Sequence, residues 1–216
     1  MSLATSAPRA GRTARRTRIQ ARNEARILDA GLELFSTYGF RGATVDQIAT
    51  RAGMTKPNLL YYFRRKQDIY LAVLNRTLAM WLKPLEDLDP DGDPAAELTA
   101  YIDRKLEMSR DKPEASRLFA MEVMQGAPVL GPVLSGPLKD LVDDKAAVIR
   151  GWIDAGRLAP VDPHHLIFLI WATTQHYADF DTQIRAVLGP DATTGDRHFA
   201  TARATLERVF LGGVEG

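Results

Sequence analysis

The sequence predicts an all-α protein, with a small N-terminal three-helix unit ahead of a larger helical domain. Three observations carry this. Apolar residues recur at spacings of three and four along most of the chain. No segment alternates apolar and polar residues as a half-buried strand would. Gly and Pro cluster in short separators, such as Asp89 to Pro94 and Gly126 to Pro132. At 216 residues the chain has room for one medium domain or two unequal ones.

The first helix runs from Asn23 to Tyr38, with Ile27, Leu28, Leu32, Leu34 and Phe35 at helical spacing and Gly39 as its stop. Thr44 with Gln47 reads as a capping box that opens a short helix ending near Ala52, closed by Gly53. Thr55 is the next N-cap, with Pro57 in the first turn, where a missing N–H costs little. Helix, Gly-containing turn, helix is the helix-turn-helix pattern. A long helix follows over about 67–83, and further helices are expected at about 94–110, 114–125, 133–155, 163–187 and 196–212.

The net charge of +1 conceals a division. Residues 1–66 hold 13 basic and four acidic residues (+9), whereas 67–216 hold 15 basic and 23 acidic (−8). A basic segment of this kind suits a polyanion. Residues 1–21 are Arg-rich with no apolar run and read as a disordered basic arm; an organelle transit peptide or a twin-Arg signal is the alternative, and the apolar stretch that export would need next is replaced by a charged, amphipathic helix. The chain has no cysteine, which removes disulfides, thiolate metal sites and Cys nucleophiles. Its longest apolar run, Leu166 to Ala172, is too short for a membrane span. A soluble, cytoplasmic protein with no membrane partner is expected.

A helix-turn-helix places its second helix in the major groove of double-stranded DNA. That helix would be Thr55 to Tyr62, with Thr55, Lys56 and Asn58 in the turn that meets base edges. Lys donates to guanine, Asn pairs with adenine, and Thr serves a base or a phosphate. Thr44 at a helix N-terminus, and Tyr61, Tyr62 and Lys66 beyond the recognition helix, are candidates for phosphates. Phe63 reads as core, and Tyr62 as a buried ring with its hydroxyl toward a phosphate.

The stretch Thr44-Val45-Asp46-Gln47-Ile48-Ala49, then Ala52-Gly53-Met54-Thr55-Lys56-Pro57-Asn58-Leu59-Leu60-Tyr61-Tyr62-Phe63, then Lys66, resembles the DNA-binding domain of the TetR family; Phe35 to Phe40 and Gly42 to Thr44 extend the match. The resemblance implies a homodimeric transcriptional regulator, usually a repressor, that binds operator DNA. The division it implies is an arm over 1–21, a helix-turn-helix DNA-binding domain over 22–66, and a helical ligand-binding and dimerisation domain over 67–216. Trp81 to Leu85, Ala115 to Phe119, Leu158 to Pro163 and the run from His165 through Phe180 resemble pyrimidine-responsive members of the family, which implies uracil or a related pyrimidine as the effector.

A uracil site needs a flat apolar slot and polar groups for two N–H donors and two carbonyls. Trp81 and Trp171 offer flat surfaces, and Gln175, four residues beyond Trp171 and on the same helix face, carries an adjacent donor and acceptor. The resemblance carries Trp81, Leu82, Trp171 and Gln175 over as pocket residues, with Thr174 and Phe119 as further candidates. Simple core packing is the competing reading for both tryptophans. Ile167, Ile170, Thr174 and Phe180, and Phe199, Ala202, Leu206, Val209 and Phe210, form apolar faces on the last two helices that a chain this short is expected to struggle to bury within itself, and the resemblance implies a dimer interface there.

His176 and Asp179, three apart, invite a metal or catalytic reading, but a third ligand is missing and a helical pair of this kind often just hydrogen-bonds. No cofactor, metal or catalytic residue is expected. A small helical enzyme with a basic targeting arm is the rival from another class; a different planar or hydrophobic effector is the rival within the family.

Overall fold

The structure is a computed structural model; it describes residues 10–190 and 195–212, with backbone alone for 10–17. The described residues are helical throughout, with no strand among them. They form two compact units, divided between Val73 and Leu74.

In the first unit α1 spans Ala10–Gly42, with Gly39 at φ 69° breaking the helix before one last turn. The expected arm therefore departs from disorder at Ala10, because Ala and Arg at 10–21 are good helix formers that continue the amphipathic helix backwards. Arg9 and the side chains of Arg12, Arg15 and Arg16 lie outside the described residues. α2 (Val45–Arg51) opens on Thr44, whose hydroxyl accepts from the Gln47 N–H while the Gln47 side chain accepts from the Thr44 N–H. Gly53, at φ 66°, makes the turn that few L-residues allow. α3 (Lys56–Tyr62) starts at the Thr55 cap. The core beneath is Ile27, Phe35, Ile48, Leu59, Ile69 and Val73, with the Tyr70 ring edge-on to Phe35 at 5.0 Å.

α4 (Lys66–Glu86) runs on past Pro84. Proline there removes one N–H from the helical ladder, and the helix ends two residues later. The second unit continues with α5 (Pro94–Asp111), α6 (Pro113–Met124), α7 (Gly131–Val133), a π-helical turn (Leu134–Leu138), α8 (Lys139–Asp154), α9 (Pro163–Asp179), α10 (Asp181–Leu188) and α11 (Asp196–Leu211). α9 lies at the centre, against α5, α6 and α8, and α11 packs on α5. Trp152 fixes the α4–α5 connection by donating to the Pro90 carbonyl at 2.8 Å, and the Glu122 carboxylate ties the loop after α6 by accepting from the N–H groups of Val129 and Leu130.

Two expectations change here. The single helix expected over 163–187 is two, because the chain bends at Phe180 (φ −117°, ψ 31°) and restarts with Asp181, an acid suited to a helix start. The apolar faces of the last helices are not surplus: Ile167, Ile170, Thr174, Phe199, Ala202, Leu206 and Phe210 are all buried within the unit, so helices packed on several sides absorb them. Of the residues expected on those faces, Phe180 and Val209 stay exposed, and Phe168, Leu169, Val187 and Leu188 are exposed beside them.

Candidate functional site

Around the recognition helix, Thr44, Thr55, Lys56, Asn58 and Tyr61 are exposed. Thr55 spends its hydroxyl on the cap, accepting from the Asn58 N–H at 3.4 Å, which leaves the Asn58 side chain outward at the helix start. Lys56 Nζ pairs with Asp46 Oδ2 at 2.9 Å, a surface pair weak enough to exchange for a base or a phosphate. Tyr61 stands edge-on to Tyr62 at 5.3 Å.

Two candidates are placed differently from expectation. The half-buried Tyr62 directs its hydroxyl to Asn23, whose amide donates to it at 2.8 Å. Lys66 donates to the carbonyls of Phe40 (2.6 Å) and Ala43 (2.8 Å) and lies 4.6 Å from the Phe40 ring centroid. Its ammonium closes the carbonyl end of α1, leaving one N–H for a phosphate.

In the second unit, residues far apart in sequence converge on one small cavity of about 30 Å³, lined by Leu78, Trp81, Leu82, Lys105, Phe119, Leu138, Trp171 and Gln175. Five of the six residues singled out in the sequence line it. The sixth, Thr174, does not; it is fully buried on α9 and donates to the Ile170 carbonyl at 2.6 Å. Trp171 donates to the Tyr101 hydroxyl at 2.6 Å, so its indole is held in place and offers the cavity a face rather than a donor. Burial of Tyr101 raises its pKa, so that hydroxyl stays protonated. The Trp81 Nε1 is buried with no partner, and the half-buried Gln175 amide makes no hydrogen bond among the described residues.

Lys105 escaped the sequence reading. It is 2% exposed, with Nζ 3.9 Å from the Trp81 ring centroid and no hydrogen bond or ion pair among the described residues. Burial pulls its pKa down to about 7, against the pull of Asp179. Its signal was positional: Leu98, Tyr101, Ile102, Lys105, Leu106 and Ser109 form the inward stripe of α5, and a lysine there has to be buried. Asp179 turns to α6 and accepts from Ser116 Oγ at 2.6 Å, and its pKa is raised by burial, while the His176 ring stacks on Phe180 at 4.9 Å. Among the described residues no group of His, Asp or Glu is arranged to hold a metal, and no helix is long and apolar enough to cross a membrane.

A basic helix-turn-helix unit followed in the chain by a helical unit with a small, partly polar cavity defines a ligand-responsive, DNA-binding transcriptional regulator. The chain belongs to the TetR family: residues 27–73 match the family described as bacterial regulatory proteins, tetR family, and residues 74–216 match the C-terminal region of YcdC-like proteins. It is 48% identical to the HTH-type transcriptional regulator RutR of Escherichia coli K12 over 203 residues, covering 94% of this chain and 95% of that one. Of solved structures, the transcriptional regulator SCO4942 of Streptomyces coelicolor aligns with a TM-score of 0.66 at 27% identity, covering 88% of this chain and 97% of that one. A Clostridium perfringens fatty acid metabolism regulator shares the fold at TM-score 0.67 and 19% identity, covering 87% and 97%. The relatives are regulators and not enzymes, and members of the family bind operator DNA as dimers.

Proposed function

We propose that this regulator is a repressor whose effector is uracil or a closely related pyrimidine, held in the Trp81–Trp171 cavity and loosening the grip on operator DNA. The observation that carries the reading is the cavity itself: two indoles, an uncommitted amide and an uncommitted ammonium meet at one apolar spot. A planar ring with two N–H groups and two carbonyls matches that inventory. Gln175 can accept from one ring N–H and donate to the neighbouring carbonyl, the indoles cover the ring faces, and Leu82 and Phe119 close the sides. At about 30 Å³ the cavity has the room of roughly one water, so a ring enters only as a wall moves.

Thr44, Thr55, Lys56, Asn58 and Tyr61 would make the DNA contacts, with Tyr62 and Lys66 shaping the surface more than touching phosphates. Trp81 and Lys66 both lie on α4, so a ligand pressing on Trp81 acts on the helix that leads out of the DNA-reading unit. The effector must bind better to the form whose two readers are mis-spaced for the operator. A protein that reads the chromosome works in the cytoplasm of a bacterium.

The test is selective capture of genomic fragments by the purified dimer, with and without uracil, alongside thermal melting with nucleobases. Uracil is expected to raise the melting temperature and release the captured fragments. No melting shift with uracil or thymine overturns the effector and leaves the DNA reading in place.

A further inference from the structure

Lys105 presents a problem that the fold does not solve by itself. A buried ammonium ordinarily keeps a carboxylate or several carbonyls around it, since leaving water unpaired is strongly unfavourable. Here the near-complete burial is set against one close contact for the charge among the described residues, the Trp81 ring face, 3.9 Å away. The carboxylate whose field reaches it, Asp179, is held by Ser116 and lies beside Arg117, whose guanidinium donates to the Ala178 carbonyl. Two further polar groups of the same cavity are also uncommitted, the Trp81 N–H and the Gln175 amide. The cavity thus has an excess of donors, with the Gln175 carbonyl oxygen as the acceptor among these uncommitted groups.

Resting on the pyrimidine reading above, we infer that Lys105 is the specificity-determining contact of this cavity: its Nζ donates to a ring oxygen of the ligand, so that planar cyclic imides bind in order of their N–H acidity. An electron-withdrawing substituent draws charge out of the ring N–H and favours the imidate form, whose charge sits on the flanking oxygens. A charge-assisted hydrogen bond strengthens as that negative charge grows. A ring with an amino group in place of one carbonyl puts a donor against a donor and is refused, which separates cytosine from uracil. The lowered pKa of Lys105 fits a group kept short of acceptors until a ligand brings one.

Titration calorimetry of the full-length dimer with uracil, 5-fluorouracil and cytosine near neutral pH decides this, for the natural protein and for Lys105→Met. Fluorine is little larger than hydrogen, so it changes acidity more than shape. The natural protein should bind 5-fluorouracil more tightly than uracil, and cytosine weakly or not at all. Lys105→Met, which keeps the length of the side chain, should lose about tenfold or more in uracil affinity and bind the two imides alike. Unchanged uracil affinity in Lys105→Met overturns the role of Lys105 while the pyrimidine site stands. Failure of the natural protein to bind either imide overturns the pyrimidine reading and this inference with it. Should the variant not fold, the natural protein still decides: equal affinity for the two imides sinks the proposal.

Discussion

Lys105 carries a cost in stability that has a definite pH dependence. Its pKa falls from 10.5 in the unfolded chain to about 7 in the folded one. Between those values the unfolded chain binds a proton that the folded one does not, so stability rises with pH across that window. Below about pH 7 both states carry the charge and the penalty of burying it is complete. At about 1.36 kcal/mol per pK unit the penalty is on the order of 5 kcal/mol, of which the Trp81 face returns about 2 kcal/mol. Lys105→Met should therefore melt at a higher temperature than the natural protein at pH 6–7 without ligand, on the order of several degrees, and the gap should close as the pH approaches 10. A gap that is constant from pH 6 to 10 would show that the ammonium is solvated or paired after all. A residue that weakens the fold and strengthens recognition is a common compromise at a binding site.

At the scale of elements, the three-helix unit was legible because its signals are local. Thr44 and Gln47 cap each other three residues apart, and Gly53 and Thr55 punctuate the turn by their own backbone preferences. Whatever depended on partners distant in sequence was not legible. Lys66 looked like a free surface cation and instead closes the end of α1, because its partners are carbonyls more than twenty residues back. Trp81, Leu82, Trp171 and Gln175 were placed by resemblance, and Lys105 went unnoticed since periodicity treats any charged residue as outward. The irregular stretch around Gly136-Pro137 was expected to be the start of a regular helix, but it forms a π-helical turn, Leu134–Leu138. Proline there removes an N–H that a regular helix would use, and a wider turn absorbs the loss. Leu138, the last residue of that turn, stands with Trp171 between the small cavity and a larger one of about 400 Å³ lined also by Val142, His164 and Phe168. This wall is the one expected to move. Leu138→Ala should admit 5-iodouracil, with an affinity relative to uracil raised roughly tenfold over the natural protein, as measured by calorimetry. An unchanged ratio would place the moving wall elsewhere.

For the whole molecule, the charge division and the exposed apolar residues describe two different tasks. The +9 over residues 1–66 meets the phosphate backbone, and its effect fades with salt. One seven-residue recognition helix offers few base contacts, so a dimer that sets two such helices one DNA turn apart, about 34–36 Å, is what makes binding selective. Such a dimer needs a surface, and the buried faces of α9 and α11 cannot supply it because this chain's own core has taken them. Phe168, Leu169, Val187, Leu188 and Val209 on α9, α10 and α11, and Phe180 between α9 and α10, remain, and the most exposed of them, Val187, keeps 76% of its surface in solvent within one chain. Covering these residues against a second copy would remove apolar area at about 25 cal/mol per Å². Leu169→Asp combined with Val209→Asp should thus bring two desolvated charges into each half of a two-fold interface, and sedimentation at micromolar concentration should show monomer. The variant should keep its helical signal, because both positions are outside the core, and should lose operator binding by a factor far larger than its salt dependence could explain. A variant that stays dimeric would move the interface off this face. A monomer that still bound the operator tightly would show that one recognition helix suffices.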